Sequence, residues 1–265
     1  MNEYEIIRYP ISRKGTFDVG FIGRNKHHVI GLIEIDITKP RKMIRMLKQN
    51  GENISFYSWL IKIIGQTIFE NKYIHAINYR KYKQIAFNEI NISIPIEVDI
   101  ENKKVPIAAL LKNVETKSVN EIYEEIESYI NNKLENSYVF RKTNDLVNKY
   151  NKIFFILPNW LRRIIWKYIL SNAFRIKNTM GTVMVTSIGI AGHYSGWIIP
   201  KSMHNLCFAI GTIKEKPWIF NGIIEKRQIL NMTILIDHDV VDGRPATRFI
   251  DKLIKNIETG YLIDK

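Results

Sequence analysis

Cysteine is almost absent from this sequence. The one thiol, Cys207, leaves no internal disulfide to form and stands near no Cys/His grouping with metal-ligand spacing. Glycine (14) and proline (8) are sparse in 265 residues, which excludes collagen-like repeats and linker-rich architecture. No apolar run approaches the ~18–20 residues that a membrane span needs. The opening MNEYEIIRYP has no apolar core of a secretory leader. These absences predict a folded chain in a reducing cytoplasm, with no transmembrane segment. No Gly/Ser/Pro-rich linker, internal repeat or low-complexity tract divides the chain, so residues 1–265 are expected to form a single domain.

What the sequence does hold is 46% hydrophobic residues and 25% charged ones, enough to bury a real core. Thirty-nine lysines and arginines against 26 acids give a formal charge of +13. Such a surface concentrates anions, whether nucleic acid, acidic membrane or a phosphorylated ligand, without choosing among them. Nucleic-acid binding rests on that charge alone.

Periodicity places a strand at 29–37 and a helix from Thr38 to about 49. A second helix follows Ser55 and ends near Asn71. Ile- and Val-rich strands are expected at 84–98 and 105–112, and a helix with acidic early turns starts at Ser118. A basic helical stretch runs from about 138 to 170, strands follow at 181–188, 206–213 and 225–236, and RPATRFIDKLIKNIE closes as an amphipathic helix. Strands and helices without a repeated βα unit predict an α+β fold with a mixed sheet and packed helices. The helix at 158–170 sets Trp160, Leu161, Ile164, Ile165, Tyr168 and Ile169 at helical spacing, with Arg162, Arg163 and Lys167 between them. Such a helix either packs on the domain or lies on anionic lipid or a partner.

The segment richest in chemistry is Asp237-His238-Asp239-Val240-Val241-Asp242-Gly243, between a strand and the closing helix. A strand-to-helix turn presents side chains at the end of a rigid element, and histidine removes a proton near neutral pH. The structural alternative is that Asp242 caps the helix and His238 ends a strand. His27, His28, His75, His193 and His204 have no metal-ligand spacing, Gly189 and Gly192 resemble a phosphate loop only weakly, and Cys207 suits a core position.

LIDHDVVDGRPATRFIDKL resembles the C-terminal active-site segment of the dihydrolipoyl acyltransferase cores of 2-oxo acid dehydrogenase complexes, a pattern shared with chloramphenicol acetyltransferase. GTVMVTSIGIAG (181–192), LCFAIGTIKEKPWI (206–219) and INISIPIEVDIENKKVPIAALLKNVETKSVNEI (90–122) extend the similarity in the family's order. The resemblance implies a two-layer, chloramphenicol acetyltransferase-like fold and a homotrimer with active sites between subunits. It implies CoA or acyl-CoA as substrate, an unidentified acyl acceptor and no metal. His238 would be general base on the attacking thiol and Thr186 the oxyanion donor where the family has serine, with Ser187 as its substitute one residue on. Arg24, in FIGRNKHHVIGLIEIDIT, would pair with Asp242 and orient His238. Asp239 stands where these cores commonly carry arginine, and the single histidine after Asp237 separates the chain from condensation domains, which carry two. No lipoyl or peripheral subunit-binding module, and so no covalent lipoyl group, is expected. The competing expectation is a non-catalytic trimeric scaffold or interaction module that keeps the core.

Overall fold

The computed structural model describes residues 4–7, 9, 13–100, 103–131, 154–187 and 195–263. Among these the chain forms α1 (Arg13–Gly23), β1 (His28–Asp36), α2 (Thr38–Gln49), α3 (Phe56–Phe69) and a 3₁₀ turn at Lys72–His75. The short hairpin β2 (Ile77–Arg80) and β3 (Lys83–Ile85) precedes β4 (Ile92–Ile100), β5 (Lys103–Leu111) and α4 (Val119–Asn131). After the undescribed stretch come α5 (Asn159–Leu170), α6 (Ala173–Met180), β6 (Val183–Ser187), β7 (Leu206–Phe220), β8 (Ile223–Asp237) and α7 (Gly243–Thr259).

Six strands make one mixed sheet in the order β1-β8-β7-β6-β4-β5. β6 runs parallel to β4 and β7, and the other pairings are antiparallel. Alternation assigns the two faces. Val183 and Val185 of β6, Phe208 and Ile210 of β7, and Met232, Ile234 and Ile236 of β8 join the core beneath the helices. Thr186, Ala209, Thr233 and Asp237 lie on the other face, which the segment after residue 195 crosses: the Trp197 indole donates to the Ile33 carbonyl at 2.9 Å and Asn231 Nδ2 donates to the Gly196 carbonyl at 3.3 Å.

The helix layer is anchored by α3, whose sequence is apolar nearly all round and therefore buries most of its circumference. Trp59, Leu60, Ile61, Ile63, Ile64 and Ile68 are fully buried. Its start is fixed by a capping box: Ser55 Oγ accepts from the Ser58 amide at 2.9 Å and Ser58 Oγ accepts from the Ser55 amide at 3.0 Å. Between α6 and β6, Gly181 has φ +74°, and a Cβ there would sit 2.5 Å from the Asn91 carbonyl oxygen. That close approach lets the Thr182 amide donate to the same carbonyl at 3.0 Å, which sets β6 beside β4.

Several boundaries differ from the sequence expectation. The strand expected at 84–98 splits into β3 and β4, with a turn at Asn88–Glu89 between them. The expected helix from 138 to 170 is α5 at its C-terminal end, and its part before Phe154 lies outside the described residues. No helix among the described residues is long and apolar enough to cross a membrane.

Candidate active site

β8 ends at Asp237, and the chain then reverses in one tight turn. The amides of Val240 and Val241 both donate to the Asp237 carbonyl, at 3.0 and 3.1 Å, and the His238 amide donates to the His27 carbonyl at 3.0 Å. The turn is thus tied to the start of β1 while the His238 side chain stands exposed, its ring without a hydrogen bond to any described residue. Asp242 occupies the position before α7 with extended backbone, φ −76° and ψ 162°, yet its carboxylate does not cap the helix. The capping alternative therefore does not account for Asp242.

The expected pair of Arg24 and Asp242 is not formed. Both side chains are exposed and no ion pair joins them. The reason lies two residues further along. After α1 the chain turns back through Asn25 and Lys26, whose amides donate to Ile22 and Gly23. Lys26 Nζ then reaches the nearly buried Asp237 carboxylate at 3.0 Å and also donates to Asn205 Oδ1. Asn205 continues the network by donating from Nδ2 to the Ala76 carbonyl at 2.8 Å, while its own carbonyl accepts from the Asp237 amide at 2.8 Å. Lys26, Asn205 and Asp237 form the support beneath His238. The sequence reading missed Lys26 and Asn205. The available signal was parity, because an acid on β8 that shares a face with Thr233 and Leu235, both buried, needs a buried partner.

Histidines surround this network in defined tautomers. A carbonyl only accepts, so Nε2–H of His204 donates to Met180 and Nε2–H of His28 donates to His204, both at 2.9 Å. Burial pushes the His204 imidazole down to about 4 and lowers that of His28. On the solvent side, His27 Nδ1 contacts the Asp239 carboxylate at 2.9 Å, and that hydrogen bond and charge raise the His27 imidazole above its ordinary range. Burial pushes the Cys207 thiol up to about 12, so it is no nucleophile at neutral pH.

Thr186 is remote from His238 within one chain. In the strand register Thr186 stands opposite Ala209, and Ala209 opposite Thr233. Two strand spacings plus five residues along β8 separate the two side chains by roughly 15–20 Å. Thr186 is buried on the face that Asp237 shares, whereas Ser187 lies on the helix side with its Oγ buried and unpaired among the described residues. Two clefts flank the His238 turn. One, of about 790 Å³, lies between Lys72 and Arg248 and is bordered by Val241 and Asp242. The other, of about 710 Å³, is edged by Arg80, Lys83 and Asp239. Gln84, donating to the Val240 carbonyl at 3.2 Å, stands between them. No grouping of His, Cys, Asp or Glu that could hold a metal occurs among the described residues.

Known proteins share both the sequence of the turn and the fold around it. Residues 175–263, which carry β6 to α7 and the whole turn, match the 2-oxoacid dehydrogenases acyltransferase (catalytic domain) family. The fold superposes on a probable dihydrolipoamide acetyltransferase from Listeria monocytogenes with a TM-score of 0.67, at 20% identity and covering 99% of this chain and 97% of that one. The C-terminal part of the chain thus matches that family's catalytic domain in sequence, and the fold as a whole is shared with the solved acetyltransferase. A truncated catalytic core of the 2-oxoacid dehydrogenase complex from Thermoplasma acidophilum gives a TM-score of 0.65 at 20% identity, covering 97% of this chain and all (100%) of that one. Among curated relatives, the dihydrolipoyllysine-residue acetyltransferase component of the Mycoplasma capricolum pyruvate dehydrogenase complex is 25% identical, over 84% of this chain and 43% of that protein. The lipoamide acyltransferase component of the Bacillus subtilis branched-chain alpha-keto acid dehydrogenase complex is 22% identical, over 95% of this chain and 54% of that protein. The chain thus spans about half the length of the curated relatives it matches.

Proposed function

We propose that this acyltransferase core moves an acyl group between CoA and a thiol or other nucleophilic acceptor, at a site completed where two copies of the chain meet, most simply in a trimer. The observation that carries the reading is the exposed, unpaired imidazole of His238, held at the end of β8 by a buried Lys26–Asp237–Asn205 support. Neutral His238 takes the proton of the attacking thiol, and the thiolate adds to the thioester carbonyl. The resulting oxyanion accepts a hydrogen bond from Thr186 of a second copy, since the Thr186 of the same chain is too far away. Collapse expels the departing thiolate, which recovers the proton from His238. The clefts on either side of the turn each offer two basic side chains to a phosphate-bearing substrate, Lys72 and Arg248 beside Glu70 and Asp242 in one, and Arg80 and Lys83 beside Asp239 in the other. A reducing cytoplasmic setting fits the single buried thiol.

His238→Ala is expected to lower acyl transfer between CoA and a dithiol acceptor by about 10²–10⁴-fold at unchanged thermal stability. A wild type that transfers no acyl group to any thiol, amine or alcohol would favour the scaffold reading. An active alanine variant with more than about a tenth of the wild-type rate would remove His238 from the mechanism.

A further inference from the structure

α1 and α5, joined by a buried ion pair, share an exposed outer face. On α5 the solvent-facing positions are Trp160, Arg163, Ile164, Lys167 and Tyr168, a single helical stripe, with Trp160 63%, Ile164 55% and Tyr168 62% exposed. This orientation is fixed from behind. Arg162, fully buried, makes two hydrogen bonds to Asp18 of α1 at 2.8 and 3.0 Å, and Trp166 Nε1 donates to the same carboxylate at 3.3 Å. The α1 side continues the outer face, because the Arg163 guanidinium lies 3.8 Å over the exposed ring of Phe21. Large apolar side chains therefore face water while an arginine is spent inside to hold them there.

The charge of this face is one-sided: the two helices carry Arg13, Lys14, Arg162, Arg163 and Lys167, and their one acid, Asp18, is already paired with Arg162. A second copy of a chain carrying +13 would bring like charge to the same face. Aromatic rings flanked by arginine and lysine, on a helix too short to span, match the boundary of an anionic bilayer, where rings sit at headgroup level and cations meet lipid phosphates.

We infer that the α1–α5 face docks the protein peripherally on anionic lipid bilayers. The test is flotation of the full-length protein with vesicles. Wild type is expected to float with mixed phosphatidylglycerol and phosphatidylcholine, to stay behind with phosphatidylcholine alone, and to be released by salt. Arg163→Ser with Lys167→Ser, and separately Trp160→Ser with Ile164→Ser, should each weaken binding at least about tenfold without changing oligomeric mass. Should the apolar pair misfold, the emission attributable to Trp160, taken as wild type minus Trp160→Phe, must still shift to the blue on anionic vesicles. Three outcomes overturn the inference: wild type that fails to float with anionic vesicles, variants that float like wild type, and an oligomeric mass that drops in the variants, which would give the face to a second copy of the chain.

Discussion

Lys26 carries a role that family resemblance had given to an arginine two positions earlier. The Asp237 side chain is 3% exposed and that of Lys26 24%, so the pair sits where a lone charge is expensive. Lys26→Met is expected to destabilise the protein by about 3 kcal/mol, and Lys26→Met with Asp237→Asn to cost less than the sum of the two single changes. Denaturant titration of the four proteins gives the coupling; simple additivity would show that the two groups act independently. Two other histidines set the pH response. His75, its Nε2–H donating to the Phe87 carbonyl at 3.1 Å and its Nδ1 accepting from Thr182 at 2.7 Å, is held neutral by burial at about 4, as is His204. The unfolded chain takes up these protons near pH 6.5 and the folded one only near 4, so the stability they contribute is complete above 6.5 and falls as the solution is acidified towards 4. Each contributes roughly 3 kcal/mol over that window, and His75→Gln should flatten the acid limb of stability against pH. Neither histidine announced this in the sequence. A lone imidazole becomes a buried group only once the Lys72–His75 turn and the segment before β7 are folded over it.

At the scale of elements, what could be read from sequence was what carries its own periodicity. α2, α4 and α7 were legible because their buried positions, such as Phe249, Leu253 and Ile257, recur three or four residues apart, and β1 and the end of β8 because they are runs rich in Ile and Leu. α1 was not, since its buried residues are Asp18 and Gly23, and it is held by an ion pair to a helix more than a hundred residues away rather than by an apolar stripe. β3 merged with β4 in the reading because the residues from Ile85 to Ile90 between them hold no glycine or proline to mark the break. Residues before Phe154 in the basic stretch lie outside the described residues. The start of β6 depends instead on one conformation. Gly181→Ala would place a Cβ 2.5 Å from the Asn91 oxygen and 2.8 Å from Leu110 Cδ1 with φ at +74°, so about 3 kcal/mol of stability should be lost. Gly222→Ala is the control: φ is +79°, but nothing lies within 4 Å of its added methyl. A thermal-unfolding comparison that finds the two equally costly would assign the effect to backbone strain alone and not to the contact that sets β6 beside β4.

For the whole molecule, the register of the sheet has a consequence that no single residue shows. Thr186 and His238 lie on one rigid framework, two strands and several residues apart, so no loop movement within the chain unites them. The His238 turn was legible in sequence because H-x-x-x-D-G is local. The place of Thr186 relative to His238 was not, because it rests on the sheet register and, in the proposed reading, on how copies associate. If each site takes His238 from one copy and Thr186 from its neighbour, inactive variants should rescue each other. His238→Ala protein dissociated and reassociated with Thr186→Val protein in equal amounts forms, in a cyclic assembly, about a quarter of its sites with both native residues. Activity should therefore recover from the level of either variant alone to about a quarter of wild type, provided both subunits mix freely. Thr186→Ser, which keeps the donor, should remain active unmixed, whereas Thr186→Val alone should lose about 10²–10³-fold in maximal rate. Mixed assemblies no more active than the average of their parents would mean that His238 and its oxyanion donor come from the same chain. Ser187→Ala, tested in the same mixing experiment, would then show whether the neighbouring hydroxyl on the helix side of β6 carries the role.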